Sequence, residues 1–282
     1  MENHRRRQFI ATAGITLTSS AISTGCATTR TQTNVLDDGE ELTDFKRFTH
    51  SHNGKKYDVF ASESDGPALI LMHEINGLSP AVVEFGRYLV ECGYHVYMPM
   101  FFGKPNDKSN GIGNIIRLCI RREMSLFAGE QSSQFTDWLR SLCRGVSKAN
   151  SDSRIGVIGM CLTGGFVIPM MVEDSVIAAV SAQPAVPFLS GRSIDIDNEV
   201  IELAVERKDR VELMSLRYKG DSLSPPERHE VFSEIFCGDR KIKSCQGYRF
   251  EEFNGNGHST LTSGANEARE KVLKFFNERL LQ

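Results

Sequence analysis

The sequence has no excess of basic charge. Its 33 Lys and Arg face 36 Asp and Glu, for a formal net charge of -3. A nucleic-acid-binding surface leaves a basic footprint, so nucleic acid is not an expected partner. The seven cysteines include no CxxC pair and no Cys/His spacing of the zinc-site kind, so neither a metal nor a cofactor is expected. Their odd number leaves at least one thiol unpaired within the chain. His73-Glu74 follows an apolar run, but the second histidine at zincin spacing is missing. The mildly apolar stretch from Ala11 to Ser23 is too short, and too rich in Ser, Thr and Gly, to span a bilayer. There is no internal repeat, and no linker divides residues 41–282.

What is present is ordinary globular composition, 40% hydrophobic and 24% charged, enough for a large core. The N-terminus is a separate object. Arg5-Arg6-Arg7, Gln8-Phe9-Ile10, an acid-free stretch and the exit Gly25-Cys26-Ala27 make the pattern of a secretory signal. Arg6-Arg7-Gln8-Phe9-Ile10 resembles a twin-arginine export signal. Ser23-Thr24-Gly25-Cys26 resembles a bacterial lipobox with Cys26 as the lipidated residue, although Ser23 stands where leucine is usual. The expectation is an export signal over 1–25, a flexible tether over 26–40 and a folded domain over 41–282, with the product in the periplasm and Cys26 as a candidate lipid anchor to the membrane. The alternatives are export without a lipid, or a basic leader with no address on a cytoplasmic protein.

From Glu41 onward strand and helix signals alternate. Tyr57–Phe60 reads as a short strand, and Ala68–Met72 as a strand buried on both faces. Ser79-Pro80 opens a helix with a cap residue and a proline at its first position, and Gly93 stops it. His95–Met98, Ile177–Val180, Val211–Leu216 and Tyr248–Phe253 read as strands. Helices are expected near Asn198–Arg207, Pro225–Phe236 and Ala265–Leu280. Repeated βα units predict an α/β fold, a mostly parallel central sheet with helices on both faces. Such sheets place their sites at the carboxyl ends of the strands.

The most informative segment is Gly159-Met160-Cys161-Leu162-Thr163-Gly164-Gly165. Apolar residues lead into it and follow it, which predicts a buried strand, a sharp turn with a thiol at its apex, and a helix whose N-terminus favours negative charge. A buried core cysteine is the other reading. Three polar positions follow other strands: Glu74, Asp221 in Tyr218-Lys219-Gly220-Asp221, and His258 in a glycine-rich loop. A buried Glu74 must find a polar partner. Singly, Asp221 and His258 read as a turn acid and a loop histidine. Together with Cys161 they stand in the order nucleophile, acid, histidine, which is the triad order of α/β-hydrolases. A thiol needs a base, and the base needs an acid to fix its tautomer.

From about Tyr57 to the C-terminus the chain resembles the dienelactone hydrolase family of the α/β-hydrolase superfamily. The matching pieces are Met72-His73-Glu74-Ile75-Asn76-Gly77-Leu78, Gly93-Tyr94-His95-Val96-Tyr97-Met98-Pro99, the Gly159–Gly165 elbow, Tyr218-Lys219-Gly220-Asp221 and Gly257-His258. The resemblance implies an α/β-hydrolase fold and hydrolysis of a small-molecule ester or lactone through an acyl-enzyme. By it, Cys161 is the nucleophile, His258 the general base and acid, Asp221 its orienting partner, and Glu74 the carboxylate that activates the thiol. The backbone N–H groups of Leu162 and Ile75 would form the oxyanion hole.

The chain departs from the family pattern in three places. Thr163 stands where a glycine is usual and should crowd the turn. Pro99-Met100-Phe101-Phe102-Gly103-Lys104 replaces an acid and arginine, so Lys104 is a substitute cation and Phe101 a candidate pocket wall. No second arginine follows His258 closely. Residues 105–134 are the natural place for a substrate cover, the alternative being two ordinary surface helices. Cys237 and Cys245 can pair in an oxidising compartment, although spacing alone does not establish it. Oligomeric state is not legible. Two other functions fit the same residues: a non-catalytic binding member of the fold, and a redox thiol, against which stands the lack of a resolving cysteine near Cys161.

Overall fold

The computed structural model describes residues 42–101, 103, 105, 130–185, 196–264 and 266–281. The strands are β1 (Lys46–His52), β2 (Lys55–Ala61), β3 (Ala68–Met72), β4 (His95–Met100), β5 (Ile155–Met160), β6 (Val176–Ala182), β7 (Glu212–Tyr218), β8 (Ser244–Cys245) and β9 (Tyr248–Phe253). The helices are α1 (Pro80–Glu91), α2 (Glu130–Ala149), α3 (Val167–Met170), α4 (Asn198–Glu206), α5 (Pro226–Cys237) and α6 (Glu267–Leu280), and a 3-10 helix spans Cys161–Phe166.

All nine strands join one sheet in the order β1-β2-β4-β3-β5-β6-β7-β9-β8. The strands from β4 to β9 pair in parallel, and β1, β2 and β8 add antiparallel edges. Every residue of β3, β5 and β6 is buried, as expected of strands covered on both sides. The pleat sends Ala68, Ile70 and Met72 to one core and Leu69 and Leu71 to the other. The first core is closed by α2 through α5, with Trp138, Phe232 and Phe236; the second by α1 and α6, with Phe85, Phe275 and Phe276. Each of these large side chains contributes about 1.5–3 kcal/mol by leaving water. Together the sheet and its two helical layers make an α/β-hydrolase fold.

Several local expectations need correcting. Ser79 occupies the N-cap of α1, but its side chain makes no capping bond; Pro80 starts the helix by fixed φ instead. Gly93 does end it, at a left-handed φ of 91°. The segment after Cys161 is a 3-10 turn running into a four-residue α3, so little helix dipole reaches the thiol. The edge strand β1 went unanticipated, being largely exposed and without apolar alternation. So did α2, although Phe135, Trp138, Leu139, Leu142, Cys143 and Val146 are all buried along it at helical spacing.

Cys237 and Cys245 form a disulfide that ties the end of α5 to β8. Cys143 and Cys161 are free thiols. Among the described residues no helix is long and apolar enough to cross a membrane.

Candidate active site

Cys161 sits at the carboxyl end of β5 with φ of 54°. The left-handed region costs a residue with a Cβ about 1–2 kcal/mol, so the surrounding turn must hold it there. Gly159 permits this closure, because a Cβ on it would lie 2.3 Å from the Thr163 carbonyl oxygen. Thr163 does not crowd the turn as expected. Fully buried, its hydroxyl accepts from the Met160 N–H at 2.9 Å and lies 3.0 Å from the carbonyls of His73 and Met160. Its one proton donates to one of these at a time. The side chain therefore fills space that glycine would leave empty, and links the elbow to the end of β3.

The thiol is 6% exposed. Burial, and then the Glu74 charge beside it, push it up to about 12; the backbone N–H groups of Ile75 and Leu162 act in the opposite sense by hydrogen bonding to the sulfur, and Asp221 adds a smaller upward push. The resting group is a neutral thiol.

The His258 imidazole meets Asp221 with Nδ1 2.8 Å from Oδ2. A carboxylate only accepts, so Nδ1 carries the proton and Nε2 is left as an acceptor. That Nε2 is buried and makes no hydrogen bond among the described residues; in this state none joins it to Cys161. Asp221 is itself fixed. Its Oδ1 accepts from the N–H groups of Leu223 at 2.9 Å and Ser224 at 3.2 Å. The buried Arg217 clamps the loop by donating to the carbonyls of Lys219, Asp221 and Ser224 and to the Glu252 carboxylate.

His73 holds the opposite wall. Its Nε2 accepts from the Phe101 N–H at 3.1 Å, which leaves Nδ1 to donate to the Glu74 carbonyl at 2.7 Å. Burial lowers its pKa to about 4, so the ring stays neutral and pins the Glu74–Ile75 turn to the end of β4. The Glu74 carboxylate, 7% exposed, accepts from Gln183 Nε2 at 2.8 Å.

The folded chain therefore gathers Glu74, Ile75, Cys161 and Leu162 around one sulfur and joins Asp221 to His258. Phe101 packs on His73, with ring centroids 5.0 Å apart. Its ring packs against Tyr57, Phe135 and Trp138 at centroid distances of 5.5, 4.8 and 6.0 Å, in the core beneath α2. Lys104, Cys26, Cys119, Phe102 and most of the expected cover, 106–129, lie outside the described residues. Sequence reasoning passed over Gln183 and Arg217. The signal for Gln183 was available: a polar residue directly after the fully buried β6, where parallel sheets form their sites. Among the described residues no group of three or more His, Cys, Asp and Glu could hold a metal ion.

The profile of the dienelactone hydrolase family matches residues 57–205. Among solved structures, the chain is similar to a candidate dienelactone hydrolase from Klebsiella pneumoniae, with 15% identity and a TM-score of 0.62 over 84% of this chain and 98% of that one. It is similar also to an esterase from Pyrococcus furiosus, with 16% identity and a TM-score of 0.52 over 84% and 93%. A thioesterase domain from the curacin biosynthetic pathway matches with 10% identity and a TM-score of 0.56 over 81% and 99%. At such identities these three likenesses speak to the fold. No curated protein matches the chain.

Proposed function

The chain belongs to the dienelactone hydrolase family, matched over residues 57–205, and from that premise we propose that it hydrolyses small esters or lactones through an acyl-enzyme on Cys161, with His258 and Asp221 completing the triad. Membership makes it a hydrolase acting on a small molecule. What supports the finer reading is the left-handed elbow that carries Cys161 together with the His258 Nδ1–Asp221 Oδ2 contact of 2.8 Å.

A substrate carbonyl oxygen accepts from the backbone N–H groups of Ile75 and Leu162, and the Cys161 sulfur turns towards His258. A thiol at about 12 is ionised in only about one molecule in 10⁵ near pH 7, so the proton must leave as attack proceeds. It passes to His258 Nε2 while the sulfur lone pair forms the C–S bond and the carbonyl π pair moves to oxygen. Collapse expels the alkoxide, which takes the proton from His258. Water, deprotonated by the same nitrogen, then attacks the thioester, and the acid leaves as Cys161 regains its proton. Two oxyanion donors matter here, since losing one typically costs about 10²–10³ in kcat.

The direct test is the intact mass of the full chain mixed with a short-chain aryl ester. An acyl adduct on Cys161, absent in Cys161→Ala, is expected; turnover with no adduct at any time, or none on a broad ester and lactone panel, overturns the reading. For protein recovered from its native host, the same spectrum reads the N-terminus. We infer export, supported by the signal pattern of residues 1–25 and by the Cys237–Cys245 disulfide, a bond suited to an oxidising compartment. A mature chain starting at Cys26 with a lipid mass is the expected form, and an intact Met1 would contradict it.

Glu74 has two opposed effects: at rest its charge raises the cost of a thiolate and so protects the thiol, and by family resemblance it activates the thiol once substrate binds. Glu74→Gln keeps an oxygen for Gln183 but removes that charge. The thiolate becomes cheaper, and alkylation of Cys161 by iodoacetamide at about pH 8 should quicken severalfold, tenfold for each 1.36 kcal/mol of repulsion relieved. Ester turnover should fall at the same time. Unchanged alkylation would remove Glu74 from the thiol's surroundings.

A further inference from the structure

We propose that Gln183 is a positioning residue of the hydrolytic site, spanning it from Glu74 to the His258 loop and holding the two together; the inference rests on the reading of Cys161 and His258 given above. The fully buried Gln183 follows β6 directly. Its side-chain amide has two unlike ends. The Oε1 end accepts from the Thr260 N–H at 3.2 Å and from the Thr260 hydroxyl. A backbone N–H can only donate, so this end must be the oxygen, and the amino end is then obliged to face Glu74, where Nε2 lies 2.8 Å from Oε1 of the carboxylate. The orientation follows from the partners themselves.

Two further features argue against a residue that only fills the core. Gln183 adopts φ of 35°, a left-handed conformation that a residue with a side chain takes at a cost and that tends to persist at functional sites. Its own N–H is pinned to the Leu216 carbonyl at 2.7 Å, so backbone strain and a β7 anchor jointly aim the amide. The two groups it joins belong to opposite sides of the reaction. Glu74 precedes the oxyanion donor Ile75, and Thr260 lies two residues beyond His258. With one carboxylate oxygen occupied by Gln183, the Glu74 side chain cannot swing freely against the thiol. The amide is a neutral donor, so it orders this carboxylate without adding a charge beside Cys161.

The charged and titratable groups on this side of the site are Glu74, Cys161, Asp221 and His258, with His73 behind Glu74, kept neutral by burial, and Arg217 behind the Asp221 loop. A change at Gln183 should therefore act through the geometry of these four, and the place to see it is kcat. In Gln183→Leu the expected result is a fall in kcat of about 100-fold, the scale of an ångström-level misplacement, with KM changed no more than about threefold. Gln183→Glu supplies a test that a purely structural role would not pass. Protonated, the new carboxyl can donate to Glu74 and accept from Thr260 as the amide does. Ionised, it sets two carboxylates face to face. Its kcat relative to wild type should thus rise about tenfold between about pH 8 and about pH 5.5, the ratio tracking protonation of the new group.

Both variants are assayed in the full chain with a short-chain aryl ester, beside Cys161→Ala and with circular dichroism to confirm folding. A folded Gln183→Leu with wild-type kcat, or a Gln183→Glu ratio flat across the pH range, overturns the inference. Should Gln183→Leu fail to fold, the Gln183→Glu ratio decides alone. Full activity in Cys161→Ala would instead defeat the hydrolytic reading, a result distinct from either Gln183 outcome.

Discussion

Cys161→Ala is expected to lower kcat/KM on a short-chain aryl ester by about 10⁴-fold or more, the scale seen when a nucleophile is taken from an intact triad. The loss should be chemical, not structural. The Ile75 and Leu162 N–H groups belong to the backbone, and the His258–Asp221 contact does not touch the thiol, so binding and oxyanion stabilisation persist and some rate over water remains. Alanine bears the same left-handed penalty as cysteine at φ of 54°, so Tm should move little. Cys161→Gly separates the two effects. It removes the nucleophile and the backbone strain together, and should gain about 1 kcal/mol of stability while losing the same activity. Such a gain would show that the elbow is held against its own preference for the sake of the thiol. A Cys161→Ala variant as active as wild type would mean that water is attacking directly, and the acyl-enzyme would have to be abandoned.

The elbow was legible in the sequence because its causes are local: a buried run, a glycine needed for close approach, and a polar residue at the apex. The bounds of β3 coincide with the pattern that predicted them, since a strand buried on both faces writes its length as an unbroken apolar run. The α/β layering followed from alternation alone. What escaped was set by distant partners. Gln183 takes its meaning from Glu74 and Thr260, which are 109 and 77 residues away. Thr163 looked like crowding because the carbonyls it reaches at the end of β3 cannot be seen from the turn. The contacts of Phe101 with Tyr57, Trp138 and His73 are likewise made by residues distant in the chain. Arg217, passed over in the sequence, is buried with four partners that make it the clamp of the acid loop.

That clamp makes Asp221→Asn a clean substitution, with kcat expected to fall about 10³–10⁴-fold. Arg217 grips the loop by its backbone carbonyls, which asparagine retains. The Leu223 and Ser224 N–H groups both point at Oδ1, so the amide oxygen of the new side chain must take that place. Its NH₂ is then left facing His258 Nδ1, where two donors would oppose each other. The imidazole relieves this by moving its proton to Nε2. The nitrogen that should accept the thiol proton now carries one, and attack on the ester stalls although every group is still in position. Because burial and Glu74 hold the resting thiol high, with Asp221 a lesser influence, alkylation of Cys161 by iodoacetamide should stay close to wild type or rise slightly. A large loss of turnover beside a near-normal thiol would place the fault in the histidine's tautomer. Equal losses in both would place it at the elbow, and undiminished turnover would show that the proton leaves by a route other than the Asp221–His258 pair.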